Sequence, residues 1–298
     1  MEKLLHALCR EGIACQEHYE LAPHSSFHIG GRAELAVFPH TREGLVRALE
    51  LLYAFQIPYC IIGNASNVVF PDEGMRGAVL FTGGVREIRI TKRELYADAG
   101  VSLTHAARAA AQASLSGMEF AYGIPGTVGG AVVMNAGAYG GCIADICAVT
   151  DWFDREDGTM GSFSGDAHAF AYRTSVYAQT DRYVILGARF ALKSGERDVI
   201  EACMKDHMSR RQTSQPLSMP NAGSVFKRPN GNFAGKLIED CGLKGLRVGD
   251  AEVSEKHAGF IVNRGNATAA DVRRLVEIIR EVVARETGVT LECEIRFF

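Results

Sequence analysis

The stretch Gly123-Ile-Pro-Gly-Thr-Val-Gly-Gly-Ala-Val-Val-Met-Asn-Ala-Gly-Ala-Tyr-Gly-Gly141 holds seven glycines in nineteen residues, far above the usual share of about 7%. Glycine loses more backbone entropy on ordering than any other residue. A run this dense therefore belongs where the chain must take positive φ, or where another group must approach the backbone with no side chain between. Exposed N–H groups in such a run form an anion-binding concavity suited to a pyrophosphate. A set of tight turns is the plainer explanation of the same density. Two common nucleotide loops are excluded. No Gly-Lys is followed by Ser or Thr, as a P-loop requires, and no G-x-G-x-x-G follows an expected strand.

A second loop lies upstream. Ile62-Gly-Asn-Ala-Ser-Asn-Val-Val69 follows an expected strand over 59–62, placing Asn64, Ser66 and Asn67 at a strand end, where ligands commonly bind. Before that strand, Leu45, Ala48, Leu51, Leu52 and Phe55 recur at helical spacing over 41–55, a βα-type rhythm. An alanine-rich helix is expected over 103–116, stopped by Gly117, and an alternating strand over 179–193. A charged helix over 197–211 and a polar, proline-punctuated segment over 212–220 mark a change of texture, which sets a domain boundary near residue 195. Val272, Leu275, Ile278, Ile279, Val282 and Val283 form one face of a helix over 268–286 that Gly288 ends. A strand over 289–297 then alternates, with Glu294 and Arg296 on its non-core face.

At 298 residues and 32.3 kDa the chain exceeds the usual size of one domain, so more than one core is expected. A net charge of -3 and a pI near 6.3, with no basic stripe, exclude the electrostatics that a nucleic-acid backbone requires. Eight cysteines without a C-x-x-C pair suit reduced thiols in a cytoplasmic protein better than disulfides or a zinc site, and His24, His28 and His257 have no metal-ligand spacing. Charged residues throughout the first fifteen positions are wrong for a signal peptide. No window approaches the roughly 18 uncharged apolar residues of a membrane span. No obligate protein partner is indicated.

Ser26-Phe-His-Ile-Gly-Gly-Arg-Ala33, the loop at 63–67 and the run at 123–141 resemble, in order and spacing, UDP-N-acetylenolpyruvoylglucosamine reductases. So do Pro220-Asn-Ala-Gly-Ser-Val-Phe-Lys-Arg-Pro229, Ala234-Gly-Lys-Leu-Ile-Glu239 and Val253-Ser-Glu-Lys-His-Ala-Gly-Phe-Ile-Val-Asn263. The resemblance implies an α+β flavoprotein. Residues 1–195 would form a two-lobed FAD-binding domain of vanillyl-alcohol-oxidase type, its lobes at about 1–55 and 56–195, and 196–298 a smaller α+β substrate domain. It implies non-covalent FAD with its pyrophosphate against Gly63, Asn64, Ser66, Asn67, Gly126, Thr127 and Gly129. Ala65 departs from the family, which has glycine there. The short 171–182 stretch resembles the form of the family lacking an insertion that carries a substrate-facing tyrosine.

By the same resemblance, Arg173 in Tyr172-Arg-Thr-Ser175 matches the catalytic arginine, Ser224 the proton donor and Glu294 the catalytic glutamate. The implied reaction is NADPH-dependent reduction of UDP-N-acetylglucosamine enolpyruvate to UDP-N-acetylmuramate, a step in peptidoglycan precursor and cell-wall synthesis. The residue types suit it. Hydride addition to the vinyl carbon leaves an enolate-like charge, which a permanently charged guanidinium stabilises and which even a weakly acidic hydroxyl can protonate. Taken singly, each is more often bland: a surface arginine, a turn serine, a solvated glutamate. Lys227, Arg228, Arg210, Arg211 and Lys236 are candidates for a substrate diphosphate, though basic side chains on helices and loops are usually solvated. An oxidase of the same flavin fold would not need all three catalytic candidates together. A flavin- or nucleotide-binding module without turnover would need only the loops.

Overall fold

The computed structural model describes residues 1–298, which divide into two compact units. The first comprises Met1–Glu17, Leu35–Asn64 and Arg76–Ser209, the second His18–Glu34, Ala65–Met75 and Arg210–Phe298. The boundary expected near residue 195 thus falls inside the first unit. What changes there is strand to helix: Arg197–Ser214 is one continuous helix, and its Ile200 and Met204 are buried in the first unit's core.

That unit is built on a five-stranded antiparallel sheet in the order Met160–Ser164, Cys147–Asp154, Tyr183–Ala191, Glu94–Asp98, Ile88–Thr91. The expected alternation in its central strand fails, because Val184 through Ala188 are all buried. Ile185, Ala188 and Phe190 pack with Ala106, Ala110 and Val132, whereas Val184 and Leu186 pack with Leu4, Leu49 and Phe153. A strand covered on both faces loses the two-residue period. Helix Arg42–Ala54 forms as expected, with Thr41 Oγ1 accepting from Gly44 N at 3.0 Å and Leu45, Ala48, Leu49 and Leu52 fully buried. The alanine-rich helix is shorter than expected, Leu103–Gln112. Ser114 turns left-handed at φ 57°, and Leu115–Ser116 pairs with Lys193–Ser194.

In the second unit, helix Ala269–Thr287 carries a capping box between Thr268 and Asp271 and ends on Gly288 at φ 72°. Its Val272, Leu275, Ile279 and Val283 are at most 1% exposed, each burial contributing roughly 1.5–3 kcal/mol. They share a core with Ala222, Val253 and Ile261 of the antiparallel sheet Asn221–Ser224, Phe260–Asn263, Ala251–Val253, Arg247–Val248. Segments from early in the chain complete this unit. Phe27, Ile29 and Val69 lie in its core, and Asn263 Nδ2 donates to Phe27 O at 3.1 Å. Asp72 accepts from the amides of Ala269 and Ala270, at 2.8 and 3.1 Å, at the start of the long helix. No helix of the protein is long and apolar enough to cross a membrane.

The first unit also buries a polar group. His168, 1% exposed, sits with Nε2 3.0 Å from Thr150 Oγ1, which lies 2.5 Å from Tyr177 Oη. Burial lowers the His168 pKa, with the Gly165 carbonyl opposing. The unfolded chain, with a histidine pKa of about 6.5, therefore binds the proton first as pH falls. Stability is full above that value and is lost as pH drops toward the folded pKa. The expected result is a melting temperature that decreases from pH 7.5 to 5.5, with a smaller decrease in His168→Gln. An identical pH dependence in the two proteins counts against His168 as a source.

Candidate active site

In the first unit the two glycine-bearing loops meet. Strand Tyr59–Ile62, parallel to Met75–Phe81, delivers Gly63 and Asn64, and Asn64 Nδ2 donates to Pro125 O at 2.9 Å. A Cβ on Gly63 would collide with the Thr127 side chain, so glycine is what allows the loops this approach. Thr127 is 1% exposed, and its Oγ1 accepts from Gly130 N at 3.3 Å, capping helix Val128–Val133. Leu103 N donates to Gly126 O and Val128 N to Val101 O, at 3.0 and 2.8 Å, on either side of the Ser102–Thr127 bridge. In such a non-bonded antiparallel pair the N–H of Thr127 points out of the ladder, where it can meet a phosphate oxygen. The Gly129 amide has another partner, Ala99 O at 2.9 Å. Glycine there serves close packing, since a Cβ would lie 3.1 Å from Ala99 Cβ.

The remaining loop residues lie in the second unit. Ala65 takes φ 47°, a conformation costing a non-glycine residue about 1–2 kcal/mol. Its methyl is buried, 4% exposed, which returns about 0.8 kcal/mol, and alanine also loses less chain entropy on folding than glycine, by about 0.4–1 kcal/mol. These terms nearly cancel, so alanine is tolerated. Ala65 O accepts from Ser26 N and Oγ at 3.2 and 3.3 Å, and Ser66 follows it, half-buried. Asn67 Nδ2 donates to Glu294 O at 3.2 Å, Arg296 N donates to Asn67 O at 3.0 Å, and Val68–Val69 pairs in parallel with Arg296–Phe297.

Ser224 and Glu294 flank a short paired stretch in this unit. Residues 225–227 run antiparallel to 292–294: Glu294 N donates to Val225 O at 2.7 Å, Lys227 N to Glu292 O at 2.8 Å, and Phe226 bridges Cys293. Ser224, exposed, is the last residue of strand Asn221–Ser224, just after a register shift and Gly223 at φ 81°. The continuous C-terminal strand expected over 289–297 reduces to this bridge and Arg296–Phe297. Its burial pattern survives, with Leu291 and Ile295 in the core. Among the basic candidates, Lys227 pairs with Glu292 and Lys236 with Asp240, while Arg228 lies 3.9 Å from the centre of the Phe233 ring.

Arg173 lies in the first unit. Ala171 and Thr174 exchange backbone hydrogen bonds of 3.1 and 3.2 Å, making Tyr172 and Arg173 the centre of a tight turn. Arg173 takes φ 56°, in the position where such turns favour glycine or asparagine. An arginine held there at about 1–3 kcal/mol of strain is typical of functional sites. Its Nη2 donates to Gly137 O at 3.0 Å, and its guanidinium carbon lies 5.3 Å from the centre of the Tyr172 ring.

A profile described as FAD binding domain matches residues 33–164, and one described as UDP-N-acetylenolpyruvoylglucosamine reductase, C-terminal domain, matches residues 215–298. The protein is thus an α+β flavoprotein with an FAD-binding domain. The UDP-N-acetylenolpyruvoylglucosamine reductase of Caldicellulosiruptor bescii is 44% identical over 97% of this chain and 92% of its own length. That of Clostridioides difficile is 42% identical over 98% and 95%. The crystal structure of the Thermus caldophilus enzyme superposes with a TM-score of 0.80 at 34% identity, covering 96% of this chain and 98% of that one. The chain belongs to the UDP-N-acetylenolpyruvoylglucosamine reductase family, and it is a flavin-dependent oxidoreductase.

Proposed function

We propose that this reductase converts UDP-N-acetylglucosamine enolpyruvate to UDP-N-acetylmuramate for peptidoglycan synthesis, with NADPH as hydride donor, in the cytoplasm. The observation that carries the residue assignment is the pairing of residues 225–227 with 292–294, which sets Ser224 and Glu294 on neighbouring strands. The FAD-binding part of the chain, up to about residue 195, supplies Gly63, Asn64, Ser66, Asn67, Gly126 and Thr127 to the flavin, with Gly129 supporting them by packing. The second unit's Arg210–Phe298 takes the nucleotide sugar. The side-chain-free approach of Gly63 to Thr127 and the outward Thr127 N–H fit a pyrophosphate.

Bound FAD supplies a two-electron hydride carrier. Reducing the enolpyruvyl double bond adds a hydride to its terminal carbon and a proton to its neighbour. Arg173 stabilises the enolate-like charge that develops on the substrate carboxylate through the delocalised positive charge of its planar guanidinium. Ser224 Oγ delivers the proton, and Glu294 orients the same carboxylate region.

Purified protein is expected to be yellow, releasing intact FAD on denaturation, and NADPH should bleach it anaerobically. NADPH consumption should rise sharply when the enolpyruvyl nucleotide is added. Bleaching with no dependence on that substrate would leave a flavin reductase of some other specificity and sink the proposed reaction.

A further inference from the structure

We propose that Asn135 is a positioning residue for Arg173, an inference that rests on the assignment of Arg173 to the reaction. Asn135 lies two residues past helix Val128–Val133 and is 7% exposed at φ 42°. Left-handed asparagine just beyond a helix end is common, and that role uses only its backbone. The side chain does something else. Its Nδ2 donates to Ala171 O at 2.9 Å, and its Oδ1 accepts from Ala144 N at 2.9 Å.

Ala171 O is the carbonyl that closes the Arg173 turn, accepting from Thr174 N at 3.2 Å. Asn135 therefore grips the turn at its base while anchoring its own amide oxygen to Ala144. Two residues further on, Gly137 O accepts from the Arg173 guanidinium. A Cβ at Gly137 would lie 2.7 Å from Gly141 O and 2.8 Å from Cys142 Cβ, so this segment is held closely by its pairing with Gly141–Cys142. Residues 135–137 thus hold the turn at both ends, backbone and guanidinium. On the far side of the turn, Ser175, fully buried, donates to Val133 O at 2.8 Å. The strained left-handed arginine has no local preference for its conformation, so external bonds must impose it. Asn135 makes a side-chain bond to the carbonyl that defines it.

Asn135→Gly keeps the left-handed backbone at no steric cost and removes both side-chain bonds. With chemically reduced holoenzyme, reoxidation by the enolpyruvyl nucleotide is expected to slow by roughly 10–100-fold in Asn135→Gly, as a misplaced catalytic group does. The loss should fall on kcat rather than KM, and flavin absorbance should be unchanged. Asn135→Asp keeps the acceptor for Ala144 N but sets a carboxylate oxygen against Ala171 O, so it should slow the same step. It serves as the test if the glycine variant fails to fold. The decisive comparison is in an Arg173→Ala background, where Asn135→Gly should change the rate by less than about twofold, because the two substitutions remove the same contribution. Independent, multiplying losses would show a general structural role and overturn the proposal. So would a wild-type rate in folded Asn135→Gly beside a slow Arg173→Ala. A wild-type rate in Arg173→Ala itself would overturn the arginine's assignment, and this inference with it.

Discussion

Ser224→Ala is expected to leave reduction of the flavin by NADPH intact while slowing its reoxidation by the enolpyruvyl substrate by about 10²–10⁴-fold, the contribution of a positioned acid. The asymmetry follows from where a proton is needed. Hydride transfer from NADPH requires none from Ser224, whereas the carbanion beside the substrate carboxylate requires one. Ser224→Cys should recover part of the lost rate, since a thiol also donates a proton. The serine is exposed at a strand end, so truncating it removes little packing and should not unfold the protein. A turn serine with no chemical role would affect both half-reactions alike or neither. Anaerobic stopped-flow measurement of each half-reaction decides, and a wild-type reoxidation rate in folded Ser224→Ala removes Ser224 from the mechanism.

The largest stability loss is expected at Gly100, in the turn after strand Glu94–Asp98. Its missing side chain faces two backbone oxygens. A Cβ would run into Thr82 O and lie 2.5 Å from Val85 O, and neither can swing aside as a side-chain tip would. The same turn carries Ala99, whose carbonyl holds the Gly129 amide and whose own amide donates to Leu186 O at 3.0 Å. Gly100→Ala must therefore push strand ends apart, at about 4 kcal/mol or more. In a protein of this size that is a drop of roughly 10 °C in melting temperature, with weaker flavin retention. Gly83→Ala, one residue from Thr82, is the control. Nothing lies within 4 Å of its would-be Cβ, and its stability should stay within about 0.5 kcal/mol of wild type. Equal effects at the two positions would refute the argument.

Helices announced themselves where caps and periodicity agreed. Thr268, Asp271 and Gly288 bracket the last helix within a residue or two of where its apolar face placed it, and Thr41 opens another. The alanine-rich helix ends before its sequence pattern does, since nothing in residues 113–116 marks Ser114 as left-handed; the pairing of Leu115–Ser116 with Lys193–Ser194 is a long-range event. Strand Tyr183–Ala191 lost its alternation for the same kind of reason, since its second covered face comes from elements far away in sequence. Within the site, the approach of the two glycine loops was legible from their small residues. Asn135 inside the glycine run carries no family motif of its own, although a lone asparagine among small residues is itself a signal for a left-handed, side-chain-bonded position. That Gly129's amide is occupied by Ala99 could not be read locally either, as the partner lies thirty residues upstream.

The interleaving of the two units bears on how the molecule is made. His18–Glu34 and Ala65–Met75 are synthesised well before their partners, among them Asn263, Ala269 and Arg296. At about 5–20 residues per second, Phe27, Ile29 and Val69 wait on the order of ten seconds or more for the core they enter. During that interval the nascent chain carries apolar side chains without a home, a natural point of chaperone dependence. Helix Ala269–Thr287 closes that core, so its removal should strip support from Phe27, Ile29 and Val69.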